Sequence, residues 1–97
     1  MGSIYKIRNK VNGKYYIGRS DQIKTRFARH RYELRQGRHH CIHLQRAWDK
    51  YGEIAFEFVI IYECDAIEAE DIEETWLNSG DKLIYNVSRL SGGGDLL

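Results

Sequence analysis

The chain has 97 residues, of which 42% are hydrophobic and none is proline, and its formal net charge is +1. This length and composition suit one small domain with a single core, and no apolar run is long enough for a membrane span or a secretory signal. The two cysteines, Cys41 and Cys64, are too few for a disulfide framework, so a reduced, intracellular setting is expected.

The small net charge hides a strong asymmetry along the chain. Residues 1–50 contain 13 Lys and Arg and 3 Asp and Glu, which gives +10, whereas residues 51–97 contain 2 and 11, which gives −9. The basic half also contains all the histidines: His30, His39, His40 and His43. Such a half is typical of a surface that binds a polyanion, although the two halves could instead neutralise each other in the folded chain.

The first two predicted elements form a β-hairpin. Residues 4–8 and 15–19 are strand-like, and the Asn12-Gly13 dipeptide between them favours a two-residue turn that places Tyr5 opposite Ser20. A four-residue loop would keep the same side chains on each face, because side chains alternate along a strand with a period of two. Both loops predict one set of residues on a common face: Tyr5, Ile7, Asn9, Tyr16 and Gly18.

Two helices are predicted next. The first is capped by Ser20 or Asp21, has apolar residues at helical spacing, and ends at Gly37. The second covers residues 40–51 and ends at Gly52. The polar side of the first helix carries a series of basic residues: Lys24, Arg26, Arg29, Arg31 and Arg35.

The acidic half begins with the most apolar strand in the chain. Residues 54–63 are almost continuously apolar, which predicts a central strand that is buried on both faces. A third helix follows, capped by Asp65 with Glu68 in the capping-box position, and Gly80 ends it. Residues 83–87 are a candidate for one more short extended segment.

The predicted elements have the order β-β-α-α-β-α. This order favours an α+β fold, with a small, mostly antiparallel three-stranded sheet covered by about three helices. The domain is expected to cover residues 1–90. The glycine-rich residues 91–97 are expected to form a flexible tail or the start of a linker.

Four polar side chains are candidates for chemistry. Arg26 and His30 lie about one helical turn apart, which places a permanent cation beside a group that titrates near neutral pH, a pair that suits a phosphate. Glu73 is either a solvated carboxylate or a ligand for Mg²⁺, which takes oxygen donors and keeps several waters. Asn86 is either an orienting amide or a turn residue. Each of these residues taken alone also has an ordinary structural explanation.

A separate group of residues has the spacing of a zinc site. His39 and His43 are four residues apart, as in a helical zinc pair, and His40 and Cys41 lie between them. Structural zinc sites usually have four clear ligands, however, and Cys41 falls in the apolar stripe of the second helix. A small zinc protein is therefore an alternative with limited support.

In their order and spacing, these residues resemble the motifs of the GIY-YIG nuclease superfamily, most closely those in catalytic domains of phage-type GIY-YIG homing endonucleases. Tyr5 matches the tyrosine of the first triplet, in which Ser3 replaces the usual glycine, and Tyr16 through Gly18 form an intact second triplet. The other matches follow along the chain: Arg26, His30, His39, Glu73 shortly before Trp76, and Asn86.

The resemblance implies an enzyme that hydrolyses DNA phosphodiester bonds with one divalent cation, Mg²⁺ or Mn²⁺. It implies Glu73 as the metal ligand, Tyr5 as the general base for the attacking water, and Arg26 as the cation that stabilises the developing phosphorane charge. Three further residues would support and orient this site: Tyr16, His30 and Asn86. The enzyme would act inside a bacterial or phage-infected host cell.

The resemblance also implies that DNA lies against the hairpin and the first two helices, since phosphate contacts supply most sequence-independent affinity. The candidate DNA-contact residues are Lys24, Arg29, His39 and Arg46. A separate C-terminal DNA-recognition region usually accompanies such domains in homing enzymes. Two alternatives remain: a non-catalytic nucleic-acid-binding module that uses the same basic face, and a repair- or restriction-type nuclease of the same superfamily.

Overall fold

A computed structural model describes residues 2–79 and 81–86 of the chain, without the side chain of Ala66. The elements, in chain order, are β1 (Gly2–Asn9), β2 (Tyr15–Ser20), α1 (Ile23–Arg35), α2 (Ile42–Tyr51), a 3₁₀ turn (Glu53–Ala55), β3 (Phe56–Cys64) and α3 (Ala66–Leu77). The predicted α+β fold and its β-β-α-α-β-α order are confirmed. The predicted domain end at residue 90, the glycine-rich tail, and the expected roles of Gly80 and Val87 lie outside the described residues.

The three strands form an antiparallel sheet in the order β2-β1-β3, so β1 is the central strand. The prediction that the third strand is central and buried on both faces was wrong. Side chains of β1 are enclosed on both faces, with Ile4 at 0% and Tyr5 at 1% exposure, whereas Tyr62 of β3 is 48% exposed. The sequence of β3 is apolar enough for a central strand. The position of a strand in a sheet, however, depends on which other strands pair with it in the fold.

The hairpin closes through a four-residue loop rather than the predicted two-residue turn. Tyr5 pairs with Gly18, and the Asn9 N–H donates to the Lys14 carbonyl at 2.8 Å, which leaves residues 10–13 as the loop. The Asn9 side chain accepts a hydrogen bond from the Val11 N–H, and Gly13 adopts a positive φ of 78°. The shift moves the register by two residues, so the predicted common face is preserved.

The helix ends show which capping signals the chain uses. Gly37, at φ 75°, follows α1, and the Gly37 and Arg38 N–H groups donate to the Leu34 and Glu33 carbonyls in a Schellman arrangement. Asp65 caps α3 as predicted, since its carboxylate accepts the Glu68 N–H at 2.9 Å. Neither predicted residue caps α1, whose N-cap is Gln22 and carries no side-chain cap.

The sheet separates two groups of core residues. One face packs against α1 and α2, through Tyr5, Ile7, Tyr16 and the residues around them. The other face packs against α3, through Ile4, Ile17 and their neighbours. Within the described residues, no helix combines the length and the apolar character needed to cross a membrane. The arrangement places the two motif tyrosines on the face of the sheet that α1 and α2 cover.

Candidate active site

The phenol of Tyr5 lies directly against the backbone of its hairpin partner, Gly18. A Cβ atom on Gly18 would be 2.5 Å from both Cζ and the hydroxyl oxygen of Tyr5, closer than real Cβ contacts. Gly18 does not have a positive φ, so the requirement for glycine comes from this close approach. The glycine of the second triplet therefore creates the space that the tyrosine of the first triplet occupies.

A chain of hydrogen bonds runs from Tyr5 into the interior. The Tyr5 hydroxyl is 2.6 Å from His30 Nε2, and His30 Nδ1 is 2.7 Å from His39 Nε2. The Cys41 backbone N–H then donates to His39 Nδ1 at 3.0 Å. The side chains of Tyr5, His30 and His39 are all buried. The backbone N–H of His39 also donates to the buried side chain of Gln45. This set of residues is fixed by packing as well as by hydrogen bonds.

Tyr16 lies beside this chain and makes a different connection. Its hydroxyl is 3.0 Å from His40 Nε2, and its ring packs edge-on against His30, His39 and His40. The imidazole of His40 stacks on that of His39 with 4.4 Å between the ring centroids. His40 is exposed, so it connects the buried histidines with the surface. The motif residues alone did not point to this contact of His40.

Arg26 lines two separate cavities. One, of about 160 Å³, is lined by Gly2, Arg19, Ser20, Asp21, Arg26 and Ala69. The other, of about 90 Å³, is lined by Arg26, Arg29, His30, Glu33 and His40. Among the described residues Arg26 forms no ion pair, whereas Arg29 pairs with Glu33 at 3.1 Å. A half-exposed guanidinium without an acidic partner is available to an anion.

Glu73 projects from α3, on the far side of the sheet, and meets the edge of β2. Its Oε1 accepts a hydrogen bond from Arg19 Nε at 3.0 Å, and its side chain is 21% exposed. Nothing in the sequence indicated Arg19 as its partner. Glu73 lies near enough to influence the ionisation of Tyr5 and Tyr16, although no hydrogen bond joins it to them in the described part of the chain.

Asn86 bonds the backbone of β2. Its Oδ1 accepts the Ile17 N–H at 2.8 Å, and its Nδ2 donates to the Ile17 carbonyl at 2.9 Å. The side chain therefore acts on the residue next to Gly18. This placement favours a role in holding the second triplet over direct contact with a substrate.

The candidate DNA-contact residues do not all lie on the surface. Lys24, Arg29 and Arg46 are exposed on α1 and α2, as a phosphate contact requires. His39 is only 6% exposed, and both of its ring nitrogens are bonded inside the protein. Its placement therefore argues against the predicted contact with DNA. The charge asymmetry is partly neutralised within the fold, since Arg8, Arg19 and Arg35 pair with acidic residues of the second half.

Burial dominates the ionisation of the buried site residues. It raises the pKa of Tyr5, and the opposing effect of Arg26 is smaller, while Glu73 adds to the rise. Burial also raises the pKa of Tyr16. It lowers the pKa of His30 to about 3, helped by the charges of His39 and His40, and lowers the pKa of His39 to about 4. At neutral pH the site therefore contains neutral phenols and neutral imidazoles.

The depressed pKa values of His30 and His39 predict that acid destabilises the fold. The unfolded chain binds protons on these imidazoles near pH 6.5, whereas the folded chain does so only near pH 3 to 4, so their contribution is fully present above pH 6.5 and is lost as pH falls. We expect the free energy of unfolding to drop by roughly 2 to 4 kcal/mol between pH 7 and pH 5, since each imidazole contributes up to about 2 kcal/mol. Denaturant titrations at both values would measure it.

A matched pair of variants separates these histidines from the rest of the chain. His30→Gln should flatten the pH dependence, because it removes one buried imidazole. His43→Gln changes an exposed histidine on α2 and should leave the slope unchanged. An equal slope in all three proteins would contradict the burial of His30 as the cause.

One group in the described part of the chain has ligand atoms close enough for a metal ion. His30, Glu33 and His39 each offer an atom within 4.8 Å of the others, a spacing that a divalent ion could use. The predicted zinc set does not come together: the Cys41 thiol instead donates to the Tyr85 carbonyl, and His43 is exposed on α2. The structure therefore does not support the alternative of a zinc site built from His39, His40, Cys41 and His43.

The family model for the GIY-YIG catalytic domain matches residues 1–86, and the chain belongs to this family. The resemblance that the motifs indicated is thereby confirmed.

Two kinds of relative are similar to this chain. It is 34% identical over 96 residues to intron-associated endonuclease 1 of Enterobacteria phage T4, and this match covers 93% of the chain but only 38% of the phage protein. The solved catalytic domain of homing endonuclease I-TevI is 31% identical, with a TM-score of 0.73, over 81% of this chain and 87% of that one. A mutant of the same catalytic domain gives 33% identity and a TM-score of 0.71, over 81% and 84%.

Proposed function

We propose that this domain is a DNA endonuclease that hydrolyses phosphodiester bonds, as the names of its relatives suggest. The observation that carries the proposal is the Tyr5 hydroxyl, held between Gly18 and His30 on the same face of the fold as Arg26, a cation without an ion pair in the described residues. A phenol and an unpaired guanidinium that influences its ionisation can together handle a water molecule and an anionic phosphate. Action inside a bacterial or phage-infected cell is part of this proposal.

In this proposal Tyr5 is the general base and Arg26 binds the phosphate. The neutral Tyr5 hydroxyl passes its own proton to a phosphate oxygen of the bound substrate as its oxygen takes a proton from the attacking water. The water oxygen bonds to phosphorus, the bond from phosphorus to the 3′ oxygen breaks, and the 3′ oxygen takes up a proton from solvent. Because burial raises the pKa of Tyr5, the phenol is neutral in the free protein, and it exchanges its proton only with substrate bound, where the charge of Arg26 favours negative charge on its oxygen. Arg26 also stabilises the negative charge that develops on the phosphate oxygens.

The donor chemistry of Glu73 fits a hard divalent cation, Mg²⁺ or Mn²⁺. Its carboxylate is partly exposed, and a single carboxylate suffices for Mg²⁺ when phosphate oxygens and waters complete the coordination. When bound, the cation would supply positive charge that stabilises the scissile phosphate and the leaving oxygen. Arg19, which bonds Oε1, positions the carboxylate at the edge of β2.

The His30, Glu33 and His39 group fits a metal less well. A histidine that binds a metal through one ring nitrogen usually donates the N–H of the other nitrogen to an acceptor. His39 has the opposite arrangement, because its Nδ1 accepts a hydrogen bond from the Cys41 backbone. A metal ion on His39 Nε2 would have to break this bond, and the one to His30 as well. We therefore assign the cation to Glu73.

Replacing Glu73 tests the function and the metal ligand together. We expect Glu73→Gln to lower Mg²⁺-dependent nicking of supercoiled plasmid by at least about 100-fold, because the amide cannot replace the anionic ligand. DNA binding, measured by mobility shift without added metal, should be retained. Glu70→Gln is the control, since Glu70 lies on the same helix and also approaches Arg19, at 3.8 Å.

The outcomes separate the alternatives. Nicking that survives in Glu73→Gln but is lost in Glu33→Gln would move the metal to the histidine group. Binding without nicking by the unmodified chain would favour the non-catalytic nucleic-acid-binding module. A repair- or restriction-type activity is distinguished by the DNA substrates that are cut. The match to 38% of the phage relative supports a further DNA-recognition region in a longer protein.

A further inference from the structure

The hydrogen bonds that end at Tyr5 have a direction that the backbone fixes. A backbone N–H can only donate, so the bond from Cys41 requires that His39 Nδ1 carries no proton. A neutral His39 then has its single proton on Nε2. Since Nε2 is 2.7 Å from His30 Nδ1, His39 donates to His30.

The hydrogen bond from His39 also fixes the tautomer of His30 and the direction of its bond to Tyr5. His30 Nδ1 accepts the bond from His39, and His30 is neutral because it is buried among His39, His40 and Arg26. Its one proton is therefore on Nε2, which is 2.6 Å from the Tyr5 oxygen. His30 is the donor in this contact, and Tyr5 is the acceptor. The hydroxyl hydrogen of Tyr5 has to point elsewhere.

We propose that His39 is a positioning residue which, held by the Cys41 backbone, keeps His30 in the Nε2–H tautomer, so that His30 donates to the Tyr5 oxygen and the Tyr5 hydroxyl hydrogen is free for the substrate side. This inference rests on the proposed function, because it assigns the role of His39 in the same reaction. It also means that His30 cannot take the proton of Tyr5. Instead, the His30 N–H stabilises the Tyr5 oxygen when that oxygen bears negative charge.

The surroundings of His39 suit such a role. Gln45, itself buried, accepts the backbone N–H of His39 and donates to the Leu34 carbonyl and the Asp49 carboxylate. The His39 ring lies edge to edge with the His30 ring through their hydrogen bond, and it stacks on the His40 ring with 4.4 Å between the centroids. Position and orientation of the imidazole are therefore both fixed without any contribution from substrate.

NMR can show directly which ring nitrogen of each histidine carries the proton. In the folded wild-type chain at pH 7, ¹⁵N spectra of the histidine rings should show protonated Nε2 and unprotonated Nδ1 for both His30 and His39. This measurement does not depend on cleavage, so it holds even if the chain is not a nuclease. A proton on Nδ1 of either ring would overturn the inference.

Two substitutions of His39 connect the tautomer with catalysis. His39→Gln can accept from the Cys41 N–H and donate to His30 Nδ1, whereas His39→Phe keeps the stacked ring but removes both functions. We expect kcat for nicking by His39→Phe to be at least about tenfold below that of His39→Gln, in line with the large cost of a wrong imidazole tautomer. KM for DNA should be equal in the two variants.

The spectra of the variants complete the test. His30 should keep the Nε2–H form in His39→Gln and become a mixture of tautomers in His39→Phe. Equal kcat values for the two folded variants would overturn the positioning role. If His39→Phe does not fold, the wild-type spectrum and the retention of the His30 tautomer in His39→Gln decide the question alone.

Discussion

A folded Tyr5→Phe variant is expected to lose DNA cleavage by about 100-fold to 10,000-fold, the range that general acid–base groups usually contribute. Phenylalanine fits the same space against Gly18 but has no oxygen to accept the proton of water or the hydrogen bond of His30. The buried His30 N–H then lacks a partner, which costs about 1 to 3 kcal/mol of stability. Single-turnover nicking, thermal unfolding and DNA binding should be measured on the same preparation.

The hairpin offers a matched control in Tyr15→Phe. Tyr15 is also buried and its hydroxyl donates a hydrogen bond to Asp81 at 2.6 Å, but it lies on the opposite face of the sheet. This variant should cleave DNA like the wild type. Near-normal cleavage by Tyr5→Phe would rule out the general-base role. An equal loss in both variants would point to a general weakening of the hairpin.

The second large effect is expected from the smallest change, Gly18→Ala. The added methyl group would meet Cζ and the hydroxyl of Tyr5 at 2.5 Å, and the rigid, buried ring has no flexible end that could yield. Overpacking of this kind costs about 1 to 3 kcal/mol. We also expect cleavage to fall by at least about tenfold, because Tyr5 must move away from His30 and positioning errors of about 1 Å are costly in catalysis.

Gly13→Ala provides the comparison. Gly13 has φ 78° and no atom near its missing Cβ, so alanine there adds backbone strain of about 1 kcal/mol without touching the site. It should lower thermal stability but leave cleavage by the folded protein unchanged. Wild-type cleavage by Gly18→Ala would show that the Tyr5 position is not critical.

Local signals in the sequence were sufficient to predict most of the fold. Gly37 and Asp65 mark helix ends through their own backbone and side-chain chemistry, and both were placed correctly. The shared face of Tyr5 and Tyr16 also needed only the two-residue period, which survives an even change in loop length. The central strand was misassigned because strand order depends on contacts between distant segments.

The site shows the same division between local and distant information. Helical spacing was enough to place Arg26 and His30 on one side of α1. The bond between His30 and His39 depends on how the chain turns after α1, which no periodic pattern encodes. His39 was therefore taken for a DNA contact when the fold buries it. The approach of Arg19 to Glu73 likewise depends on the packing of α3 against the sheet.

The segment after α3 supplies hydrogen-bond partners to β2, which is an outer strand and would otherwise have an unpaired edge. Leu83 and Tyr85 exchange backbone hydrogen bonds with Tyr15, and the amide of Asn86 bonds both polar groups of Ile17. An unpaired strand edge invites pairing with another chain and hence aggregation. A side-chain amide here occupies the place of a neighbouring strand. The last motif residue therefore protects the sheet from growing by edge-to-edge association, at the strand that carries Tyr16 and Gly18.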